Sequence, residues 1–322
     1  MSIPLKQANG GQKAAAVLLG TIGSGLLFSA SLTVPLIGFA SAFIAPAPLG
    51  LTRLRAGRTA AVFATLMAML LLTVLLSPAI GAWYLVQCGL IGLLVPELAL
   101  RGMRPFRSIL WSTAAAVTLA AVLIAVLSVT SAVDPQLFVQ KEINSGITQA
   151  AKLYEQQAGL SPQDLDMLKQ GMQTVGELML RLYPALASIN LGLISTIALL
   201  LFSRLALRQS VAVSLIPFKS YRTPEPLIWL LIAAGFAVLA PTPLVATPAQ
   251  NILLVLAVLY FMQGLAVLLT FCERSNFAGT LKVLLAVALL TQPYLAGVVI
   301  IIGIFDLWGD FRTPRIKQEE NL

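Results

Sequence analysis

Two long apolar blocks, Ala14–Val133 and Tyr183–Phe305, flank one polar stretch, Asp134–Leu182. That stretch carries its own helix signals. Asp134 before Pro135 reads as an N-cap with proline at the first helical position. Ile143, Ile147, Ala150, Ala151 and Tyr154 fall on one helical face, and Gly159 can end the helix in the left-handed conformation. A second helix starts at Ser161, with Asp164 in the capping-box position and Leu160 and Leu165 placed as a hydrophobic staple. Leu165, Leu168, Met172, Val175, Met179 and Leu182 then recur at spacings of three and four, a heptad seam that buries one side. The pattern predicts a helical hairpin on the membrane surface whose second arm continues into a span. The seam either packs on the first arm or serves as a lid or partner-docking surface.

Charge-free runs count the spans elsewhere, at roughly 20 residues per crossing. Ala14–Thr52 and Thr59–Pro96 each hold two crossings, with turns signalled by Pro35, by Pro46-Ala47-Pro48 and by Ser77-Pro78 to Gly81. Ser108–Val133 and Leu182–Ser203 hold one each. Pro226–Cys272 holds two, turning at Pro241-Thr242-Pro243 to Pro248. Val283–Phe305 has the length of one span, yet cations flank it on both sides. Thr291-Gln292-Pro293 is therefore read as the tip of a short helical hairpin. This predicts an all-α polytopic bundle of about ten membrane segments, nine being the alternative. Its parts are an N-terminal membrane block (residues 1–133), an extracytoplasmic hairpin (134–182) and a C-terminal membrane block with a short tail (183–322).

Composition agrees. The 322 residues are 58% hydrophobic and 11% charged, against about 25% charged in soluble domains. The net charge of +8 could point to nucleic acid, but the cations sit at span ends. With the N-terminus inside, 17 of the 21 lysines and arginines fall on the cytoplasmic side, as the positive-inside rule requires of a bacterial inner-membrane protein. Both termini are then cytoplasmic. Lys6 and Lys13 before an apolar run, with Ser29-Ala30-Ser31 after it, resemble a signal peptide; the many spans that follow favour an uncleaved first helix.

Histidine is absent, which removes the usual general base and metal ligand. No P-loop, HExxH or CxxC motif occurs, so no cofactor or metal is expected and the reading leans away from an enzyme. Polar groups deep in lipid are the default site candidates. These are Gln87, Asn190 and Gln263, with Tyr260 one turn from Gln263; each amide either bonds a neighbouring helix or faces a ligand cavity. Ala16, Gly20 and Ser24 form a small-residue stripe that admits a close helix, from this chain or from a separate membrane partner. Asp306 and Asp310, four apart, with Arg312, read as a cytoplasmic anchor of the last helix.

Four segments carry a family resemblance: Arg53-Leu54-Arg55-Ala56-Gly57, Tyr183-Pro184 with Asn190, Gln263-Gly264-Leu265-Ala266-Val267, and Gly303…Asp306…Asp310-Phe311-Arg312. They resemble the YybS-type family of uncharacterised bacterial membrane proteins over nearly the whole chain. That family is distantly similar to the substrate-capture (S) subunits of energy-coupling-factor vitamin transporters. The resemblance implies a small-molecule site in a helical bundle and docking through small residues of the first helix, to which Ala16, Gly20 and Ser24 are similar. The chain departs from the S-subunit pattern in its extra spans and in the 134–182 insertion. The leading expectation is an inner-membrane protein that binds a small or amphiphilic molecule between its helices, as a transporter's capture subunit does. The alternative is a scaffold that engages a partner through the outer hairpin.

Overall fold

The computed structural model describes residues 9–33, 35–131, 135–157, 162–211, 213, 217–274, 278–292 and 294–312. Among the described residues every long element is a helix and none is a strand. The chain divides into two compact units, Met1–Leu215 and Ile216–Leu322. The division falls inside the stretch that the sequence reads as the C-terminal membrane block.

In the first unit, α1 (Gly10–Thr33) packs against α2 (Pro35–Ile44), α3 (Ala47–Ala56) and α4 (Arg58–Leu75). Gly57, at φ 91°, makes the corner between α3 and α4, a conformation in which a side chain would be strained. Ser77 caps α5 (Pro78–Tyr84), its hydroxyl accepting from the Ile80 amide at 3.3 Å, with Pro78 at the first helical position. A π-helical turn, Leu85–Gly89, leads into α6 (Leu90–Leu100). Then come α7 (Pro105–Ser131), α8 (Pro135–Gln157) and α9 (Pro162–Arg208).

The 47 residues of α9 run unbroken through Pro184. Its second half buries Leu191, Ile194 and Phe202 against Ile91 and Val95 of α6 and Leu54 of α3. Its first half packs on α8, where Gly176 meets Ile143 and Ile147 closely enough that an added Cβ would lie 2.6 Å from the Ile147 side chain. The contact with α8 therefore passes through a glycine, while Val175 and Met179 of the predicted seam stay about half exposed, at 51% and 49%. The expected caps and staple at Asp134, Gly159, Leu160 and Ser161 lie outside the described residues, as does the Leu165 side chain.

The second unit starts with a 3-10 turn, Phe218–Ser220, and continues through α10 (Leu227–Ala237), α11 (Pro243–Arg274), α12 (Ala278–Thr291) and α13 (Leu295–Gly309). The last apolar block is thus two helices, interrupted between Thr291 and Leu295; Pro293 itself lies outside the described residues. α11 and α13 touch backbone to backbone. A Cβ on Gly264 would sit 1.9 Å from the Val299 carbonyl oxygen, and one on Gly303 would sit 2.0 Å from that of Tyr260.

The expected count of ten membrane segments is not what the helices support. Six among the described residues are long and apolar enough to cross a bilayer: Gly10–Thr33, Arg58–Leu75, Pro78–Leu100, Pro105–Val129, Asp166–Arg208 and Pro243–Arg274. The second expected span is two helices of ten residues each, about 15 Å apiece against a hydrocarbon core of ~30 Å. The break falls at Pro46, the N-cap of α3, with Pro48 in the first turn of that helix, where a missing N–H leaves no helical bond unmade. In the same way α10 ends after eleven residues, ahead of the Pro241-Thr242-Pro243 turn.

The glycine contact predicts a stability asymmetry within α13. Gly303→Ala should force α11 and α13 apart and cost about 1–3 kcal/mol, read as a lower melting temperature of the detergent-purified protein. Gly297→Ala, on the exposed face with nothing within 4 Å, should leave melting unchanged or raise it.

Candidate functional site

The second unit holds a polar network built on one buried carboxylate. Asp306 lies in the last turn of α13 and is 1% exposed. α13 stops at Gly309, and Asp310 takes the left-handed conformation at φ 38°, ψ 56°, which short polar side chains tolerate. This turn folds the chain back, so that Arg312 Nη2 donates to Asp306 Oδ2 at 2.6 Å. Asp310 is thereby carried off the helix and pairs instead with Arg222. The two carboxylates, expected on one helical face, have separate partners and separate surroundings.

Gln263 ties α11 into the same carboxylate. Its Nε2 donates to Asp306 Oδ2 at 3.0 Å, and its Oε1 accepts from the Thr223 amide at 2.9 Å. The Thr223 hydroxyl donates to the Leu259 carbonyl at 3.3 Å. Arg312 Nη1 donates to the carbonyls of Lys219 and Tyr221 at 2.6 and 2.7 Å. The segment from Lys219 to Thr223 is therefore pinned at three backbone groups by side chains from α11 and from beyond α13. The close approach at Gly264 and Gly303, each within three residues of Gln263 or Asp306, sets the spacing that lets these side chains meet.

Arg222, Thr223, Pro224, Glu225, Gln263, Asp306 and Leu307 line a cavity of about 270 Å³. Three buried polar atoms around the network have no hydrogen-bond partner among the described residues: Asp306 Oδ1, Arg312 Nε and the Tyr260 hydroxyl. Such groups are rare in native interiors and call for a ligand, water or ion. Burial pushes the Tyr221 phenol above the usual tyrosine range. Below the network, Glu273 bridges Lys219 and Lys282.

The sequence candidates are distributed as follows. Gln263 and Tyr260 are fully buried in α11 of the second unit. Gln87 is buried in the π-helical turn, and Asn190 is partly buried in α9; both belong to the first unit. Ala16, Gly20 and Ser24 are buried inside the first unit, where small residues and hydroxyls knit α1 to its neighbours. Ser24 donates to the Ala45 carbonyl at 2.7 Å and accepts from the Tyr84 hydroxyl at 2.9 Å. Thr52 donates to the Ala16 carbonyl at 3.0 Å, and its hydroxyl occupies the space a Cβ on Gly20 would need. Sequence reasoning separated Gln263 from Asp306 and Arg312, which the fold joins. It missed Thr223 and Arg222 altogether, because an exposed-looking loop gives no periodic signal.

The network predicts that Gln263 holds the 219–223 segment in place. Gln263→Leu should leave the Thr223 amide without its acceptor, costing about 1–3 kcal/mol. Hydrogen exchange in peptides covering 217–226 should accelerate, while peptides from α1 should be unaffected.

No curated protein matches this chain, and no solved structure matches it. A family model described as predicted membrane protein (DUF2232) matches residues 24–307. The match takes in the described helices from the middle of α1 to Leu307, including Gln263 and Asp306. The chain accordingly belongs to the DUF2232 family of predicted membrane proteins.

Proposed function

We propose that the protein is a multi-pass protein of the bacterial cytoplasmic membrane that binds a small or amphiphilic molecule at the Gln263–Asp306 cavity. The observation that carries this reading is the Asp306 carboxylate. It lines a cavity, is shut away from solvent, and keeps one oxygen without a donor among the described residues. Burying a carboxylate is costly unless its hydrogen-bonding capacity is used, and an occupant of the cavity would use it. The work done is binding and conformational change. The resemblance to S subunits of energy-coupling-factor transporters supports a capture role. Native mass spectrometry of the protein in mild detergent should reveal a retained small molecule or lipid, lost in Gln263→Leu. Wild-type protein carrying nothing would overturn the reading.

A second reading, a scaffold, has its own observation. Met167, Val175, Leu178 and Met179 are about half exposed or more on the first half of α9. In this reading α8 and the first half of α9 form an extracytoplasmic surface that meets another protein. A membrane-embedded Asn190 in either reading would serve mainly as an interhelical hydrogen bond or a cavity group of the first unit.

Both readings use one topology, with residues 134–182 outside and both termini inside, supported by the distribution of cations. In a cysteine-free background, Ser145→Cys should react with an impermeant maleimide in intact cells, and Ser220→Cys only after lysis. The reverse pattern would overturn the orientation.

A further inference from the structure

We propose that the cavity beside Asp306 takes a primary ammonium group that carries an anionic neighbour, the chemistry of an ethanolamine phosphate. The inference rests on the binding reading above and specifies its ligand. It starts from the donors and acceptors around the cavity. Asp306 Oδ2 already accepts from Gln263 and Arg312. Every nearby donor with a defined partner is committed elsewhere: the Thr223 amide to Gln263, its hydroxyl to Leu259, and Arg312 Nη1 to the Lys219 and Tyr221 carbonyls. Arg312 Nε and the Tyr260 hydroxyl have no partner and do not bond Asp306 Oδ1 either, so this oxygen stands open to a donor brought in from the cavity. A carboxylate offers acceptor sites alone, and an ammonium offers three donors and no acceptor.

Charge points the same way. Arg312 offsets Asp306, and Arg222 is paired with Asp310. Glu225 also lines the cavity and forms no ion pair among the described residues. The lining thus keeps one negative charge in excess, which favours a cation. Methylated ammonium groups are held by aromatic cages, whereas the lining has no aromatic side chain. The cavity therefore selects N–H donors over a quaternary ammonium. Arg222, also in the lining, has guanidinium donors beyond the one given to Asp310 and can meet a phosphate or carboxylate next to the amine. About 270 Å³ lies below the range of about 300–1,000 Å³ typical of drug-sized sites, so a headgroup-sized occupant fits. Such a group comes either from a phosphatidylethanolamine headgroup or from a free amino compound.

The test uses the full chain in phosphatidylcholine nanodiscs. Glycerophosphoethanolamine should raise the melting temperature, and glycerophosphocholine should not. Asp306→Asn and, independently, the exposed-site variant Glu225→Gln should each weaken the response, Asp306→Asn by at least about tenfold in half-saturating concentration, as expected for one charge-assisted hydrogen bond. The Glu225→Gln arm stands even if Asp306→Asn fails to fold. In nanodiscs of mixed phosphatidylethanolamine and phosphatidylcholine, native mass spectrometry should show selective retention of the former if a lipid is the source. Response to the soluble probe alone assigns a free amine. Equal response to both headgroups, or none to the ethanolamine compound in either form, overturns the proposal. If a retained molecule without an amine is found, the ammonium assignment falls while the binding reading survives.

Discussion

A carboxylate buried at the end of an apolar helix governs the second unit. Asp306 follows Gly303-Ile304-Phe305, in a helix whose other side chains are almost all apolar. Moving such a charge out of water costs several kcal/mol even after relaxation, so the surrounding chain must supply donors. It does so with an amide from α11 and a guanidinium that returns through the left-handed turn at Asp310. Both donors reach the same oxygen because Gly264 and Gly303 allow the two helix backbones to touch. Without those glycines the amide of Gln263 and the carboxylate of Asp306 would stand too far apart, and the 219–223 segment would lose the groups that fix it.

The first unit meets the same constraint with neutral groups. Ser24, Thr21 and Thr52 spend their hydroxyls on carbonyls of neighbouring helices, at 2.7, 3.2 and 3.0 Å. Each such bond contributes little on its own, roughly 1 kcal/mol in membrane bundles. Small residues at Ala16 and Gly20 let the helices come close enough for the bonds to form. A half-buried charge system, Arg53 and Arg101 on Glu97, lies near the ends of α3 and α6. The two units thus differ in kind: hydroxyl-to-carbonyl stitching in the first, and a carboxylate network beside a cavity in the second.

The helical class was legible because it follows from apolar content and from the few charges. So was the interruption near Thr291, where a polar pair and a proline stop an apolar run that cations flank on both sides. The span count was less legible, because a charge-free run records total apolar length and not continuity. Residues 35–56 have the composition of a crossing but are split at Pro46 into pieces too short to make one. Gln263 stood out as a polar group in an apolar helix, and its side chain is buried. Its partners were not readable. Asp306 looks like an interfacial anchor until the turn at Asp310 is known, and Thr223 enters the network through its backbone amide, which no side-chain pattern reports. At Gly176 the helix contact passes through the residue a heptad count skips, because the smallest side chain permits the closest approach.

The geometry also bears on how an occupant of the cavity could be felt elsewhere in the second unit. Gln263 and Arg312 each bridge Asp306 to the 219–223 backbone, Arg312 by donating to both and Gln263 by donating to the carboxylate while accepting from the Thr223 amide. A cation on Oδ1 would draw charge away from Oδ2 and loosen the hold of both bridges at once. A ligand that also engaged Arg222 would compete with Asp310 for that guanidinium, and Asp310 is the residue whose backbone turn returns Arg312. Occupancy would then act on both ends of the same loop through groups already in contact. Coupling of this kind requires differential contacts in two arrangements, and here Arg222 has two alternative partners, Asp310 or a ligand anion. The sequence places four of these five participants within two short segments, Arg222–Glu225 and Asp306–Arg312, with Gln263 as the link between them.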